Sequence, residues 1–298
     1  MADGVKELEK ELPHILVVLI LIIVLLVVLT KFQWIHCSQV PGNWCEIYCN
    51  TIMRSHSKVA LISGDTGIGD PKTLEGMLRH ARSYNAYIEP FPQSQMSFGL
   101  LKGYDLIIIE RMKNVSITQA KALESYLNAG GSMIWIGDSA TSYYVDEFEL
   151  QKARDLDEQM VAEMKARGET PVNEHYYYDI LTNSTTRRGF GILEKVLMAR
   201  YIETKTGQKN VELETVNIDH LTMRGLMKDF GVPVTEFAVV SENPEAVSKL
   251  AILKVGGKEY PGIYETRYAG RVLYVAYPLE QTNSTVLLQN ILDYLVTC

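Results

Sequence analysis

Acidic residues surround a glycine-rich loop, Gly64-Asp-Thr-Gly-Ile-Gly69, that follows a short apolar segment and could bind a ligand. In a P-loop, Lys-Ser or Lys-Thr follows the last glycine and holds phosphate and magnesium, whereas Asp70-Pro71 follows it here. Because the carboxylates of Asp65 and Asp70 repel phosphate, we expect a tight turn with positive φ rather than a phosphate site. Together with Asp138, these aspartates are candidate ligand-binding residues. A divalent cation is one ligand they could bind, but we expect solvated carboxylates, with no resident metal and no cofactor.

Two runs of tyrosine, Tyr143-Tyr144 and Tyr176-Tyr177-Tyr178, lie in a segment whose hydrophobic pattern is irregular. Aromatic rings stack on carbohydrate and pack on apolar peptide side chains. Tyr176 and Tyr177 are therefore candidate residues for binding carbohydrate or peptide. Tyrosine runs also pack against their own domain, and that alternative stays open.

The elements that must position these residues begin with a hydrophobic helix. Residues 15–29 form an unbroken apolar run, and the apolar stretch extends over residues 12–35, which is 24 residues. At about 1.5 Å per residue, a helix of that length spans the ~30 Å hydrocarbon core of a bilayer. The short tail, residues 1–14, has no excess of positive charge, and no small-residue cleavage site follows the run. We therefore expect an uncleaved single-pass anchor in membrane lipid rather than a signal peptide.

The orientation of this anchor depends on two features, since lysines are few on either side of the span. The juxtamembrane linker, residues 36–57, contains Cys37, Cys45 and Cys49, which are disulfide candidates although three thiols leave one unpaired. Their spacing is not the paired C-x-x-C of a zinc site. Three N-x-S/T sequons are candidate glycosylation sites: Asn114, Asn183 and Asn283. Both features favour a body on the extracytoplasmic side of a cell membrane or secretory-pathway membrane.

Residues 58–298 alternate short apolar segments with amphipathic ones, a pattern that predicts an α/β, flavodoxin-like, doubly wound parallel sheet. The predicted strands are residues 59–63, 87–91, 105–110, 133–136, 251–255 and 270–276. The regular pattern stops at about 141–236, where we expect a large α-rich insertion. The net charge is −7, and no basic stripe with interleaved aromatic residues is found, so nucleic acid is not an expected partner.

Several segments of this body resemble the class I glutamine-amidotransferase-like domains, and in particular their ThuA-like, non-catalytic branches. The similar segments are Leu101-Lys-Gly-Tyr-Asp-Leu-Ile-Ile-Ile, Leu127-Asn-Ala-Gly-Gly-Ser-Met-Ile-Trp-Ile-Gly, Asp219-His-Leu-Thr-Met-Arg-Gly-Leu and Gly270-Arg-Val-Leu-Tyr-Val-Ala-Tyr-Pro. The resemblance covers residues 58–140 and 215–298 and leaves the insertion unexplained. It implies that the domain could once have carried an amidotransferase site.

That family places its nucleophile in a G-x-C-x-G elbow, and the corresponding segment here is Gly137-Asp-Ser-Ala-Thr141. Ser139 would occupy the nucleophile's position, but Tyr277 stands where the family has its catalytic histidine. A tyrosine with a pKa near 10 is a poor base at neutral pH, so Ser139 stays a weak nucleophile. His175 or His220 could replace the missing base if the fold brought one of them to Ser139. We expect instead that Ser139 forms a hydrogen bond within the turn.

The sequence therefore predicts a non-catalytic, membrane-anchored binding or scaffold subunit of a membrane protein assembly. Such branches of the resembled family act as accessory subunits, which is what the resemblance implies here. The alternative is a membrane-tethered hydrolase or sugar-processing enzyme with Ser139 as nucleophile. A third hypothesis is a cytoplasm-facing sensor whose ligand binds at the Gly64–Asp70 loop.

Overall fold

The computed structural model describes residues 2–31, 35, 40, 44–53, 57–81, 86–183, 189–267 and 270–296. The chain divides into two compact units, Met1–His56 with Thr297–Cys298, and Ser57–Val296. Cys37 lies outside the described residues, and so do the side chains of Cys45 and Cys49. The disulfide among them stays a prediction.

The first unit begins with a long helix, α1 (Ala2–Lys31), and continues after a gap with a short helix, α2 (Trp44–Ile47), and a π-helical turn, Tyr48–Met53. Within α1, residues Pro13–Lys31 have a mean hydropathy of 3.1 and form a helix that is long and apolar enough to cross a membrane. A signal sequence near the N-terminus has the same properties. The indole of Trp44 donates a hydrogen bond to the hydroxyl of Thr30 over 3.1 Å.

The second unit is a mixed α/β domain. Its strands are β1 (Lys58–Thr66), β2 (Tyr87–Pro92), β3 (Leu106–Met112), β4 (Asn114–Ser116), β5 (Ser132–Ile136), β6 (Ser142–Tyr144), β7 (Ala199–Lys205), β8 (Val211–Thr215), β9 (Asp229–Val232), β10 (Phe237–Glu242), β11 (Val247–Val255), β12 (Lys258–Arg267) and β13 (Arg271–Val275). Its helices are α3 (Pro71–His80), α4 (Phe98–Leu101), α5 (Ile117–Asn128), α6 (Glu147–Ala166), α7 (Tyr176–Asn183), α8 (Glu194–Leu197) and α9 (Thr285–Leu295).

One half of the main sheet is parallel, as the sequence predicts. The nine strands lie in the order β2-β1-β3-β5-β13-β12-β11-β8-β9, and the first five are parallel to one another. Those five strands have the 2-1-3-4-5 arrangement of flavodoxin-like folds. Leu106, Ile107, Ile108 and Ile109 of β3 are fully buried. A central parallel strand is covered on both faces, which explains its continuous apolar run.

The other half of the sheet is antiparallel, and the prediction of a parallel sheet is wrong there. Strands β13, β12, β11, β8 and β9 pair antiparallel in that order. The turn between β11 and β12 is Gly256-Gly257, with φ of +56° and +76°. Two central residues of positive φ form the tight hairpin turn that reverses a strand. Strand β12, which follows this turn, was not predicted from the sequence.

The segment 141–236 is α-rich only in its first part, which contains α6 and α7. Its second part forms β7, β8 and β9, so the prediction of an α-rich insertion is wrong for residues 199–232. In β8, Val211, Leu213 and Thr215 are buried while Glu212 is exposed. This alternation has the two-residue period of a strand. Strand β7 pairs with β10 in a separate two-stranded sheet.

A reciprocal capping box begins α5. The hydroxyl of Ser116 accepts a hydrogen bond from the amide of Gln119 over 3.1 Å, and the side chain of Gln119 accepts one from the amide of Ser116 over 3.0 Å. We expect the Ser116→Ala variant to lose about 1 kcal/mol of unfolding free energy, because two amides of the first turn lose part of their hydrogen bonding. Chemical denaturation of the purified full chain measures this loss. The control is Ser125→Ala, an exposed position within the same helix, where stability should be unchanged or slightly higher. Equal losses in both variants would contradict the capping role.

Candidate functional site

The loop after β1 lies at the carboxyl edge of the parallel strands. Gly67 and Gly69 have φ of +118° and +106°, as a tight turn requires. Three consecutive amides of this loop donate hydrogen bonds to acidic side chains from other parts of the fold: Ile68 to Asp138 over 3.0 Å, Gly69 to Glu236 over 3.2 Å, and Asp70 to Glu280 over 2.8 Å. The amides that would cradle a phosphate are therefore bound to the chain's own carboxylates.

Asp138 is buried, and each of its carboxylate oxygens has a partner within the fold. Oδ1 accepts from the Ile68 amide, whereas Oδ2 accepts from the hydroxyl of Thr204 over 3.2 Å and lies 3.2 Å from the ammonium of Lys113. The fold thus brings Asp138 to the glycine loop, as the positions of the strand ends predict. Its oxygens hold together segments that are far apart in sequence.

The other two aspartates lie on the surface of the loop. Asp70 begins α3: it accepts hydrogen bonds from the Thr73 hydroxyl over 2.7 Å and from the Lys72 amide over 3.2 Å. The bond from Thr73 is the largest cause that lowers the pKa of the Asp70 carboxyl. Asp65 is exposed at the end of β1. Within the described residues, no three His, Cys, Asp or Glu side chains are placed to hold a metal ion.

A fourth carboxyl, that of Glu110 in β3, was not predicted from the sequence as a residue of this site. Glu110 is fully buried below the loop, and a Cβ at Gly69 would lie 2.6 Å from its Oε1. No amide, hydroxyl or ammonium in the described part of the chain bonds its oxygens, and the carboxyl of Glu280 is their polar neighbour. Burial, and then the neighbouring carboxyls of Glu280 and Asp70, raise the pKa of Glu110 well above its usual value. The signal in the sequence was an acidic residue directly after four buried apolar ones.

The turn after β5 does not present a nucleophile. Ser139 is fully buried, and its hydroxyl donates to the main-chain carbonyl of Ile136 over 2.8 Å. The carbonyl of Ser139 accepts from the indole of Trp135 over 3.0 Å. Two residues of the turn have positive φ, Gly137 at +60° and Ala140 at +53°. The chain then enters β6, whereas a nucleophile elbow joins its strand to a helix.

The candidate bases have other partners. Tyr277 is fully buried, its hydroxyl accepts from Thr282 over 3.2 Å, and burial raises its pKa. The ring of His220 bonds through Nδ1 to the Thr222 hydroxyl over 2.8 Å, and its Nε2 lies 3.5 Å from a carboxylate oxygen of Glu265. His175 is exposed immediately before α7. The hydroxyl of Ser139 is thus bound by a main-chain carbonyl rather than by an imidazole.

The two tyrosine runs meet at one cavity. Tyr143 and Tyr144 of β6 and Tyr177 of α7 line a cavity of about 410 Å³, together with residues of α6. The position of α7 is set by Asp157 of α6, which is buried and accepts hydrogen bonds from the first amides of α7 over 2.7 and 3.1 Å. Tyr176 lies outside the cavity lining and is 49% exposed, with its ring edge-to-face on Tyr177.

All three sequon asparagines are exposed. Asn114 begins β4, Asn183 ends α7, and Asn283 precedes α9 with φ of +52°. A glycan on any of these side chains would extend into solvent. Glycosylation itself stays a prediction.

The buried carboxyl below the loop predicts a pH dependence of stability. Because the pKa of Glu110 is raised in the folded state, its stabilising contribution is present below the unfolded value of about 4.5 and is lost as pH rises through the folded pKa. We therefore expect the Glu110→Gln variant to match the stability of the wild type near pH 4. At neutral pH the variant should be the more stable protein, by up to about 1.4 kcal/mol of unfolding free energy for each unit by which the folded pKa of Glu110 exceeds the unfolded one.

Chemical denaturation of the full chain over a series of pH values measures this difference. Asp293, whose pKa burial raises to about 7, titrates in both proteins and drops out of the comparison. The control is Glu158→Gln, at an exposed position of α6, which should leave the pH dependence unchanged. A wild type and Glu110→Gln variant with parallel pH curves would show that Glu110 does not carry the effect.

No protein-family model matches the chain. No curated protein sequence matches it. Solved structures match in fold at low identity. A ThuA-like protein from Bacteroides uniformis ATCC 8492 is 15% identical, with a TM-score of 0.53 over 80% of this chain and 90% of that chain.

Two β-galactosidases are also similar in fold. The enzyme from Bacillus circulans sp. alkalophilus is 14% identical with a TM-score of 0.51, and the cold-adapted enzyme from Rahnella sp. R3 is 15% identical with a TM-score of 0.52. Each match covers 80% of this chain, but only 30% and 31% of the respective enzymes. Similarity at this level shows a shared fold alone. The chain therefore shares the fold of the ThuA-like protein from Bacteroides uniformis.

Proposed function

We propose that this chain is a non-catalytic binding or scaffold subunit of a membrane protein assembly, held at the membrane by α1. The observation that carries the proposal is the closed turn after β5. At the position where a catalytic relative would expose its nucleophile, Ser139 is buried and bonded to the main chain. The neighbouring glycine loop has its amides bonded to acidic side chains, which leaves them unavailable to an anionic substrate.

The anchoring part of the proposal rests on α1. Its apolar side chains from Ile15 to Leu25 are exposed in the protein itself. Exposure of an apolar surface of this length to water is unfavourable, so lipid or another protein must cover it. A signal sequence would be removed after translocation, whereas the sequence around α1 lacks a cleavage site.

The proposed location of the body is extracytoplasmic, on a cell membrane or a secretory-pathway membrane. The three exposed sequon asparagines and the juxtamembrane cysteines are the features that favour this side. A disulfide and glycans both require that compartment. The partners would be membrane lipid around α1 and the other subunits of the assembly.

The competing function is a membrane-tethered hydrolase or sugar-processing enzyme that uses Ser139. It would require the turn after β5 to open and an imidazole to reach the serine hydroxyl. The β-galactosidases share only the fold with this chain, so their activity gives this hypothesis no residue-level support.

Labelling with a fluorophosphonate probe separates the two functions, since the probe reacts with activated serines. We expect the full chain in detergent to remain unlabelled, and the Ser139→Ala variant to give the same result, because the buried hydroxyl has no base. A serine hydrolase added to the same sample confirms that the probe is active, and a heat-denatured sample gives the background. Labelling that is present in the wild type and absent in Ser139→Ala would overturn the non-catalytic proposal.

Anchoring is tested by expressing the full chain and a variant that lacks residues 2–31. We expect the full chain to stay in the membrane fraction through alkaline carbonate extraction, with an intact mass that still includes α1, and the shortened variant to be released. For a cell membrane, protease should digest the body in intact cells. For a secretory-pathway membrane, protease should leave the body intact when the plasma membrane alone is permeabilised and digest it once detergent opens all membranes. A mature chain that has lost α1 would show that the helix is a signal sequence. Protection of the body in intact cells, together with its digestion once the plasma membrane alone is permeabilised, would contradict the extracytoplasmic location.

A further inference from the structure

The cavity beneath α7 is built from regular faces of two helices. Glu149, Lys152, Ala153 and Leu156 of α6 line one wall, and their spacing of i, i+3, i+4 and i+7 puts them on one helix face. The facing residues of α7 are at positions 177, 180 and 181, which also share a face. At about 410 Å³, the cavity has the size of a small-molecule site.

The wall of this cavity is mostly apolar and partly uncovered. Leu156, Ile180 and Tyr144 contribute to it and are 38%, 53% and 48% exposed. Apolar side chains of this size gain free energy when an apolar body removes them from water. A ligand with a hydrocarbon or aromatic body would supply that cover.

The polar groups of the wall differ in whether they already have partners. Glu149 is buried, and its carboxylate accepts from the ammonium of Lys121 over 2.7 Å. The hydroxyl of Tyr143 donates to the main-chain carbonyl of Phe190. The ammonium of Lys152 has no ion pair or hydrogen bond within the described residues. The cavity thus offers an apolar surface and one uncompensated positive charge.

We propose that this cavity binds an amphipathic organic anion, with its apolar body between α6 and α7 and its carboxylate at the ammonium of Lys152. A carbohydrate suits this wall less well, because a sugar would lose the hydrogen bonds that its hydroxyls make to water. A carboxylate with a rigid aromatic or short aliphatic body keeps its charge at the rim, where Lys152 is exposed. This ligand site goes beyond the proposed function and rests on the cavity alone.

Photoaffinity labelling of the full chain in lipid nanodiscs tests the site directly. The probe is 4-benzoylbenzoate, whose ketone crosslinks to neighbouring C–H bonds under ultraviolet light, and mass spectrometry of peptides locates the crosslink. Two control probes have the same benzophenone body as this anionic probe. The amide 4-benzoylbenzamide is neutral, and the amine 4-(aminomethyl)benzophenone is positively charged. We expect the carboxylate probe to label peptides of α6 and α7, at least about fivefold more than the amide or the amine.

Matched variants separate the charge of Lys152 from the apolar wall. Lys152→Gln should reduce labelling by the carboxylate probe to the level of the amide probe, whereas Lys165→Gln, an exposed lysine of the same helix outside the cavity, should not. Ile180→Asp places a charge in the wall and should abolish labelling there. Ile202→Asp, at an isoleucine that is 58% exposed on β7, is its control. Both cavity positions are exposed, so the substitutions should leave the fold intact, which circular dichroism checks.

Equal labelling by the carboxylate and amide probes would overturn the proposal, as would an unchanged Lys152→Gln variant. Crosslinks confined to residues outside the cavity lining would also overturn it. Any of these results leaves the non-catalytic function standing, because that function depends on Ser139 and not on the cavity. Saturable labelling that follows the charge of Lys152 would support the anion site.

Discussion

Three hydrogen bonds from the glycine loop hold the carboxyl edge of the sheet together. The amides of Ile68, Gly69 and Asp70 donate to acidic side chains that follow β5, precede β10 and follow β13. A buried or partly buried carboxylate needs such donors, and a loop amide without a partner would be destabilising. The loop and the carboxylates therefore satisfy one another. This arrangement fixes the end of β1 relative to segments that are up to 210 residues away in sequence.

The same arrangement explains why acidic side chains of the chain itself, rather than an anionic ligand, are bonded to the loop amides. Glu110 and Glu280 lie close together under the loop, and burial is the first cause that raises the pKa of each. A raised pKa means that burial disfavours the charged form of each carboxyl. In flavodoxin-like folds the carboxyl edge is the usual ligand site. Here that edge contributes to the stability of the fold, and its serine turn is closed.

One cavity lies in the segment that interrupts the regular α/β pattern. Asp157 anchors the start of α7 on α6, and the gap between the two helices remains lined with apolar side chains. Among the described residues that line the cavity, Glu149 is paired with Lys121, whereas the ammonium of Lys152 has no ion pair. A binding function and a closed catalytic turn are consistent with each other, since the cavity and Ser139 lie on different elements.

Local patterns in the sequence determined the membrane-length helix, the parallel strands β1, β2, β3 and β5, and the positive-φ turn at Gly67 and Gly69. Hydrophobic periodicity, caps and glycines act over a few residues, so these features can be predicted from the chain alone. The resemblance to the amidotransferase-like family implied that Ser139 lacks a base, since Tyr277 stands where that family has histidine.

Only the tertiary structure decided which distant groups meet. It placed Glu110 beneath Gly69, gave the loop amides to Asp138, Glu236 and Glu280, and brought Tyr144 and Tyr177 to one cavity. It also made half of the sheet antiparallel, through a Gly256-Gly257 turn whose partner strands are set by pairing and not by periodicity. Contacts of this kind depend on the packing of the whole chain, because the partners are separated by tens to hundreds of residues and no local propensity encodes them.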